Sequence, residues 1–129
     1  MITANAFNYV NVLNKAADAS WLRNEVISNN IANVSTPNYK RSDVEFQSVL
    51  RRELQGGESL DKRVANVNLS NLNPITYKDH SKLSYRLDGN NVDIDIEGAN
   101  LAENQIRYNA IIESVSHEFN RLKTVLNGL

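Results

Sequence analysis

The feature that constrains this chain most is a spacing of residues, alternating steps of four and three, that recurs at both of its ends. Near the N-terminus it runs through Ala6, Val10, Leu13, Ala17, Ser20, Asn24, Ile27, Ile31 and Val34. Near the C-terminus it runs through Leu101, Gln105, Tyr108, Ile112, Val115, Phe119, Leu122, Leu126 and Leu129. An α-helix turns once in about 3.6 residues, so such spacing keeps a narrow line on one face, the seam of a coiled coil. The two seams predict two helices of roughly 40 Å each, paired antiparallel. Ser20 and Asn24 place polar groups in the first seam. Either they fix register at a cost in packing, or they face water or another subunit's polar surface.

A two-helix pair leaves apolar edges uncovered: Val12, Trp21, Leu22 and Val26 on the first helix, Ile106, Ile111 and Val125 on the second. These edges call for further partners. Pro37 is expected to end the first helix, because the ring and its effect on the preceding residue both oppose helical geometry. Asn100 with Glu103 reads as a capping box opening the second helix just after Gly98. The chain therefore divides into an N-terminal helix over residues 1–36, an intervening region over 37–97 and a C-terminal helix over 98–129. The expected fold is mainly α, an antiparallel coiled coil of two terminal helices with an extended region and a small β-hairpin between them.

In the intervening region, Ser42 and Glu45 read as the cap of a short helix through Phe46, Val49, Leu50 and Leu54, closed by Gly56 and Gly57. The tract from Glu58 to Asn73 reads as polar and irregular. Leu83, Tyr85 and Leu87, then Asp88-Gly89-Asn90-Asn91, then Val92, Ile94 and Ile96, carry the alternation and turn chemistry of a hairpin.

Composition excludes more than it selects. Fourteen basic residues face fifteen acidic ones, for a net charge of −1. That balance gives no reason to expect nucleic acid or an anionic membrane as the main partner. Cysteine is absent, which removes disulfides, thiolate metal sites and cysteine catalysis. No apolar run reaches the ~18 residues of a membrane span. The first residues, Met1-Ile2-Thr3-Ala4-Asn5-Ala6-Phe7-Asn8, do not read as a cleaved secretory signal.

Asp93, Asp95 and Glu97 alternate with Val92, Ile94 and Ile96, a row of carboxylates that suits a hard cation but fits the solvated face of an amphipathic strand better. His80 and His117 read as surface residues, with no second ligand spaced to join them. Lys40, Arg41, Arg51 and Arg52 are interleaved with Asp43, Glu45 and Glu53, which reads as a mixed, exposed surface. No catalytic residue, metal ligand, cofactor site or small-molecule substrate is indicated.

One stretch is more specific. Ser28-Asn29-Asn30-Ile31-Ala32-Asn33-Val34-Ser35-Thr36-Pro37-Asn38-Tyr39-Lys40-Arg41 closely resembles the signature of the flagellar rod and hook axial proteins. In that family a helix rich in small and Asn residues runs into Thr-Pro-Gly-Tyr. Asn38 stands where the family usually has Gly, a mild change because Asn tolerates the left-handed backbone better than most residues. Asn91 to Asp95, Leu101 to Tyr108 and Phe119 to Lys123 resemble the proximal rod members.

The resemblance implies a structural subunit of the bacterial flagellar basal body that polymerises into the axial drive shaft through its terminal helices. It implies export through the flagellar type III channel without a cleaved signal, and residence in the rod, in the periplasmic space. The implied partners are copies of the same chain, other rod proteins, and the rod–ring adaptor and export-gate proteins. Expected motif and helix-exit residues are Ser28, Asn29, Asn30, Ile31, Ala32, Asn33, Thr36, Pro37 and Tyr39. Expected seam residues are Val10, Leu13, Ile27, Ile31, Leu101, Tyr108, Ile112, Val115, Phe119, Leu122 and Leu126. The alternative is a coiled-coil adaptor or assembly chaperone that serves the same system without joining it.

Overall fold

Between Ile2 and Ala32 the sequence holds neither Pro nor Gly, and between Ile94 and Asn127 only Gly98. Both stretches form unbroken helices. The computed structural model describes residues 2–80 and 86–128, with side chains from residue 7 onward. In chain order it contains α1 (Ile2–Ala32), β1 (Ser42–Glu45), α2 (Gln47–Glu53), α3 (Leu60–Asn66), a 3₁₀ turn (Leu69–Asn71), β2 (Ile75–Lys78) and α4 (Ile94–Asn127). At 31 and 34 residues, α1 and α4 are each about 50 Å long.

The two helices run antiparallel, as three cross-contacts show. Asn30 meets Glu97, Trp21 packs on Tyr108 with ring centroids 6.0 Å apart, and the Ser20 carbonyl accepts from Asn104. The fold class thus agrees with the sequence expectation: mainly helical, a long antiparallel pair, and a small antiparallel pair of strands in the middle.

The positions of several elements differ from expectation, each for a local physical reason. α1 ends at Ala32, before Pro37, because its last carbonyls turn into a capped turn described below. α4 starts at Ile94 rather than 98. The Asp93 side chain accepts from the Asp95 and Ile96 amides at 3.0 and 3.3 Å, and Asp95 and Glu97 place negative charge in the first turn. The alternation from Val92 to Glu97 is therefore a helix start and not a hairpin arm. Leu83 and Tyr85, the expected first arm, lie outside the described residues, as does Leu129.

The strands that do pair are β1 and β2, antiparallel, with Ser42 opposite Lys78 and Glu45 opposite Ile75. Ser42 therefore belongs to β1, and Glu45, the last residue of that strand, accepts from the Ser48 amide of α2 at 2.9 Å. The tract expected to be irregular is ordered too. Ser59 caps α3, and Val64 and Leu72 pack with Val12 of α1 into a small core edged by Tyr9, Phe46 and Leu50. Val12, expected uncovered, is buried by this excursion. Tyr9 also donates to Asp61 at 2.5 Å, tying α3 to α1.

Candidate assembly interface

The signature stretch forms a joint, because its polar side chains satisfy backbone groups where three elements converge. Asn30 is fully buried. Its Nδ2 donates to the Ser42 carbonyl at 2.7 Å and to Glu97 at 3.1 Å. Its Oδ1 accepts from the Ser42 amide at 2.9 Å and the Tyr39 hydroxyl at 3.2 Å. One amide thus locks the last turn of α1 to β1 and to the first turn of α4. The Lys78 ammonium lies 5.3 Å from the centroid of the Tyr39 ring, within cation–π range.

Arg41 fills the joint. Although expected on a mixed surface, it is only 7% exposed. Its Nε donates to Glu97, its Nη1 to Asp79 at 2.6 Å and its Nη2 to Asp43 at 3.1 Å. Arg23 of α1 donates to the other oxygen of Asp43 at 2.9 Å. Glu97 is completely buried, so the carboxylate row read from the sequence does not share one solvated face. Asp93 caps the helix, Asp95 faces water and Glu97 points into the joint.

The electrostatics follow from burial and pairing. Burial alone would lower the Arg41 guanidinium, but its bonds to Glu97, Asp43 and Asp79 reverse this and hold it above its ordinary value. Burial pushes the Asp43 carboxyl up, and donors from Arg23, the Val44 amide and Arg41 outweigh it, holding Asp43 below the usual carboxylate range. Every carboxylate in the joint is an acceptor already engaged by a guanidinium. Among the described residues no group of three or more His, Cys, Asp or Glu is arranged to hold a metal ion. The arrangement is chemically a clamp.

The exit of α1 is capped from the loop before α4. Asn90, fully buried, donates to the carbonyls of Asn33, Val34 and Thr36 at 2.9, 3.1 and 2.9 Å. Arg86 donates to the Val34 carbonyl at 2.6 Å. These donors satisfy carbonyls that a helix end leaves without partners, which explains why α1 ends before Pro37. Asn38 has φ of 60°, the left-handed backbone anticipated for that position, and its amide donates to the Asp88 carbonyl at 2.7 Å. Gly89, at φ +76°, packs so close that an added Cβ would meet Asn38 Oδ1 at 2.6 Å.

Of the other motif residues, Ile31, Asn33 and Tyr39 are half-buried, while Ser28, Asn29, Ala32, Thr36 and Pro37 are exposed. Asn33 donates to the Asn29 carbonyl at 2.7 Å and accepts from the Thr36 hydroxyl at 3.0 Å.

Along the helices, Val10 and Ile27 are buried and Leu13 is half-buried. On α4 the covered line runs Glu97, Leu101, Asn104, Tyr108, Ile111, Val115, Glu118 and Leu122. It keeps steps of four and three but lies one residue to the side of the expected line at every second position. Ile112, Phe119 and Leu126 are consequently exposed, together with Trp21, Ile106 and Val125. Leu22, Val26 and Ile111 are half-buried.

Arg41, Glu97, Asn90 and Asn104 are absent from the expected motif and seam residues. Arg41 closes the signature, and Glu97 is the acidic residue in the first turn of α4 that meets it. A buried cation paired with a helix-start carboxylate leaves no periodic trace, so only their proximity in space reveals them.

Residues 12–40 match a family model described as flagella basal body rod protein, a span from mid-α1 through the capped turn. The chain is also similar along most of its length to curated flagellar basal body rod proteins FlgB. With that of Bacillus subtilis it is 40% identical over 117 residues, covering 90% of this chain and 91% of the relative. With that of Borreliella burgdorferi it is 37% identical, covering 84% and 88%. With that of Escherichia coli it is 32% identical, covering 82% and 83%.

Proposed function

This chain belongs to the flagellar basal body rod proteins, and from that premise we propose how its structure builds a rod. It is a structural subunit of the basal body, a proximal rod component whose α1–α4 pair packs against neighbouring subunits to form the axial drive shaft. The observation that carries this reading is the outward row on α4. Ile112, Phe119 and Leu126, 41, 50 and 64% exposed, recur at a spacing of seven and flank the covered seam without entering it. A strict seven-residue repeat of apolar residues is a line prepared for another helix, and single scattered apolar residues would not show it.

The joint serves the same end. By fixing the exit of α1 to the start of α4 it presets the register of the pair, so the two outward edges arrive at a neighbour in one geometry. The partners are copies of this chain, other rod proteins, and the rod–ring adaptor and export-gate proteins beneath them. The subunit resides in the rod within the periplasmic space and leaves the cell through the flagellar type III channel. Among the described residues no helix is long and apolar enough to cross a membrane.

The test is Phe119→Asp combined with Ile112→Asp. Both side chains are exposed, so the isolated chain should keep its unfolding midpoint while rod assembly and swimming are lost. Normal swimming would contradict the reading. Absence of the wild-type chain from purified basal bodies would favour instead the adaptor or chaperone role.

A further inference from the structure

Resting on that rod reading, we infer that copies of this chain contact one another head to tail, the Leu87 turn of one copy seating in the groove between α1, α4 and the β1–α2 segment of the next. Leu87 is fully exposed, yet its turn is held from several sides. Gly89 donates to the Arg86 carbonyl at 3.1 Å, Arg86 pairs with Asp88 at 2.9 Å, Asn38 bonds the Asp88 carbonyl, and Lys40 donates to the Gly89 carbonyl. A leucine presented on a preordered turn loses little conformational freedom on docking, which is what makes an exposed apolar residue an effective anchor.

The groove fits such an anchor. Its volume is about 480 Å³, and Leu13, Ala16, Ala19, Val44, Phe46 and Leu50 give it apolar walls with a small-residue floor. In the same floor Asn104 donates to the Ser20 carbonyl at 2.8 Å, while its buried Oδ1 has no hydrogen-bond partner among the described residues. Charge agrees as well. Among the described residues two cations, Lys40 and Arg86, and one anion, Asp88, surround the knob, whereas two cations and three anions, Arg23, Arg107, Asp43, Glu45 and Glu103, line the groove.

Knob and groove are different surfaces. The knob lies past the end of α1 at Ala32, the groove beside Ala19, roughly 20 Å away along the helix at ~1.5 Å per residue. A contact between two different surfaces is heterologous, and if its rotation does not close, it propagates as an open helical array.

Because the chain contains no cysteine, the contact can be trapped specifically. In the double variant Leu87→Cys with Gln47→Cys, where Gln47 is an exposed residue on the groove rim, oxidation of purified basal bodies should give a ladder of dimers, trimers and higher species. Leu87→Cys with Asn71→Cys, which lies off the groove, should not. Products that stop at the dimer, or basal bodies that contain the double variant only as monomer, would overturn the head-to-tail contact and leave the rod reading standing. Absence of the cysteine-free chain from basal bodies would remove the rod reading and the contact with it. As a second measure, Leu87→Asp should weaken self-association by about tenfold or more, the loss expected for a fully buried leucine, with an unchanged unfolding midpoint. Wild-type assembly in that variant would equally overturn the inference.

Discussion

The two ends of the helix pair hold together in opposite ways. Where α1 meets the start of α4, the contacts are polar and saturated: Asn30, Arg41, Asp43, Asn90 and Glu97 are buried with partners assigned to each. Toward the far end of α4, Leu122 is buried, but Phe119, Val125 and Leu126 remain exposed. Polar networks depend steeply on geometry and specify one arrangement, whereas apolar surface has no direction and accepts whichever complementary face arrives. On the proposed reading, the joint sets the shape of the subunit and the open end supplies adhesion between subunits.

The strongest way to break this contrast is Arg41→Ala. It leaves Glu97 buried without its cation, and loss of one partner from a buried pair costs about 3–5 kcal/mol. Chemical denaturation should show the chain destabilised by that amount. Little change would mean that the joint does not organise the fold.

Next in size is Gly89→Ala, which combines a left-handed backbone with a steric conflict at Asn38 and should cost about 1–3 kcal/mol in the same experiment. Asn90→Ala, which uncaps the α1 exit, should cost a similar 1–3 kcal/mol, about what a buried unsatisfied group loses.

Asp43 gives the contrast a pH signature. Its folded pKa lies below its unfolded value, so its contribution is fully present above the unfolded value near about 4. It is lost as pH falls through the lower folded value. Stability of the wild-type chain should decline over that acid window, and Asp43→Asn should flatten the decline while lowering stability at neutral pH.

The smallest effect on the isolated chain is expected at the open end. Phe119→Ser should shift monomer stability by less than about 0.5 kcal/mol, as surface changes do, while impairing assembly, read as swimming diameter.

The same contrast explains what was legible in the sequence. The helices were, because Pro-free and nearly Gly-free stretches with a repeated spacing announce themselves locally. The apolar line on α4 was legible to within one residue. Leu101, Tyr108, Val115 and Leu122 belong to both the expected and the covered line, but Asn104 and Glu118 take seam places that the spacing gave to Gln105 and Phe119. The position of the strand pair was not legible. β1 offers one apolar residue, Val44, and its partner Ile75–Lys78 lies across the whole α2–α3 excursion. Ile75-Thr76-Tyr77 after Pro74 was the available signal. The alternation from Val92 to Glu97 suited a strand as well as a capped acidic helix start, and the partner of Glu97, Arg41, lies more than fifty positions away.

The central claim is that the joint is formed in the subunit and the open end is completed by neighbours. Residue-level amide hydrogen exchange, on the dilute monomer and on assembled rods, tests it most directly. The account predicts that residues 27–31 of α1 and 97–104 of α4 are protected to a similar degree in both, whereas residues 115–127 gain protection only on assembly. Equal protection of 115–127 in monomer and rod, or a joint that exchanges freely until assembly, would contradict it.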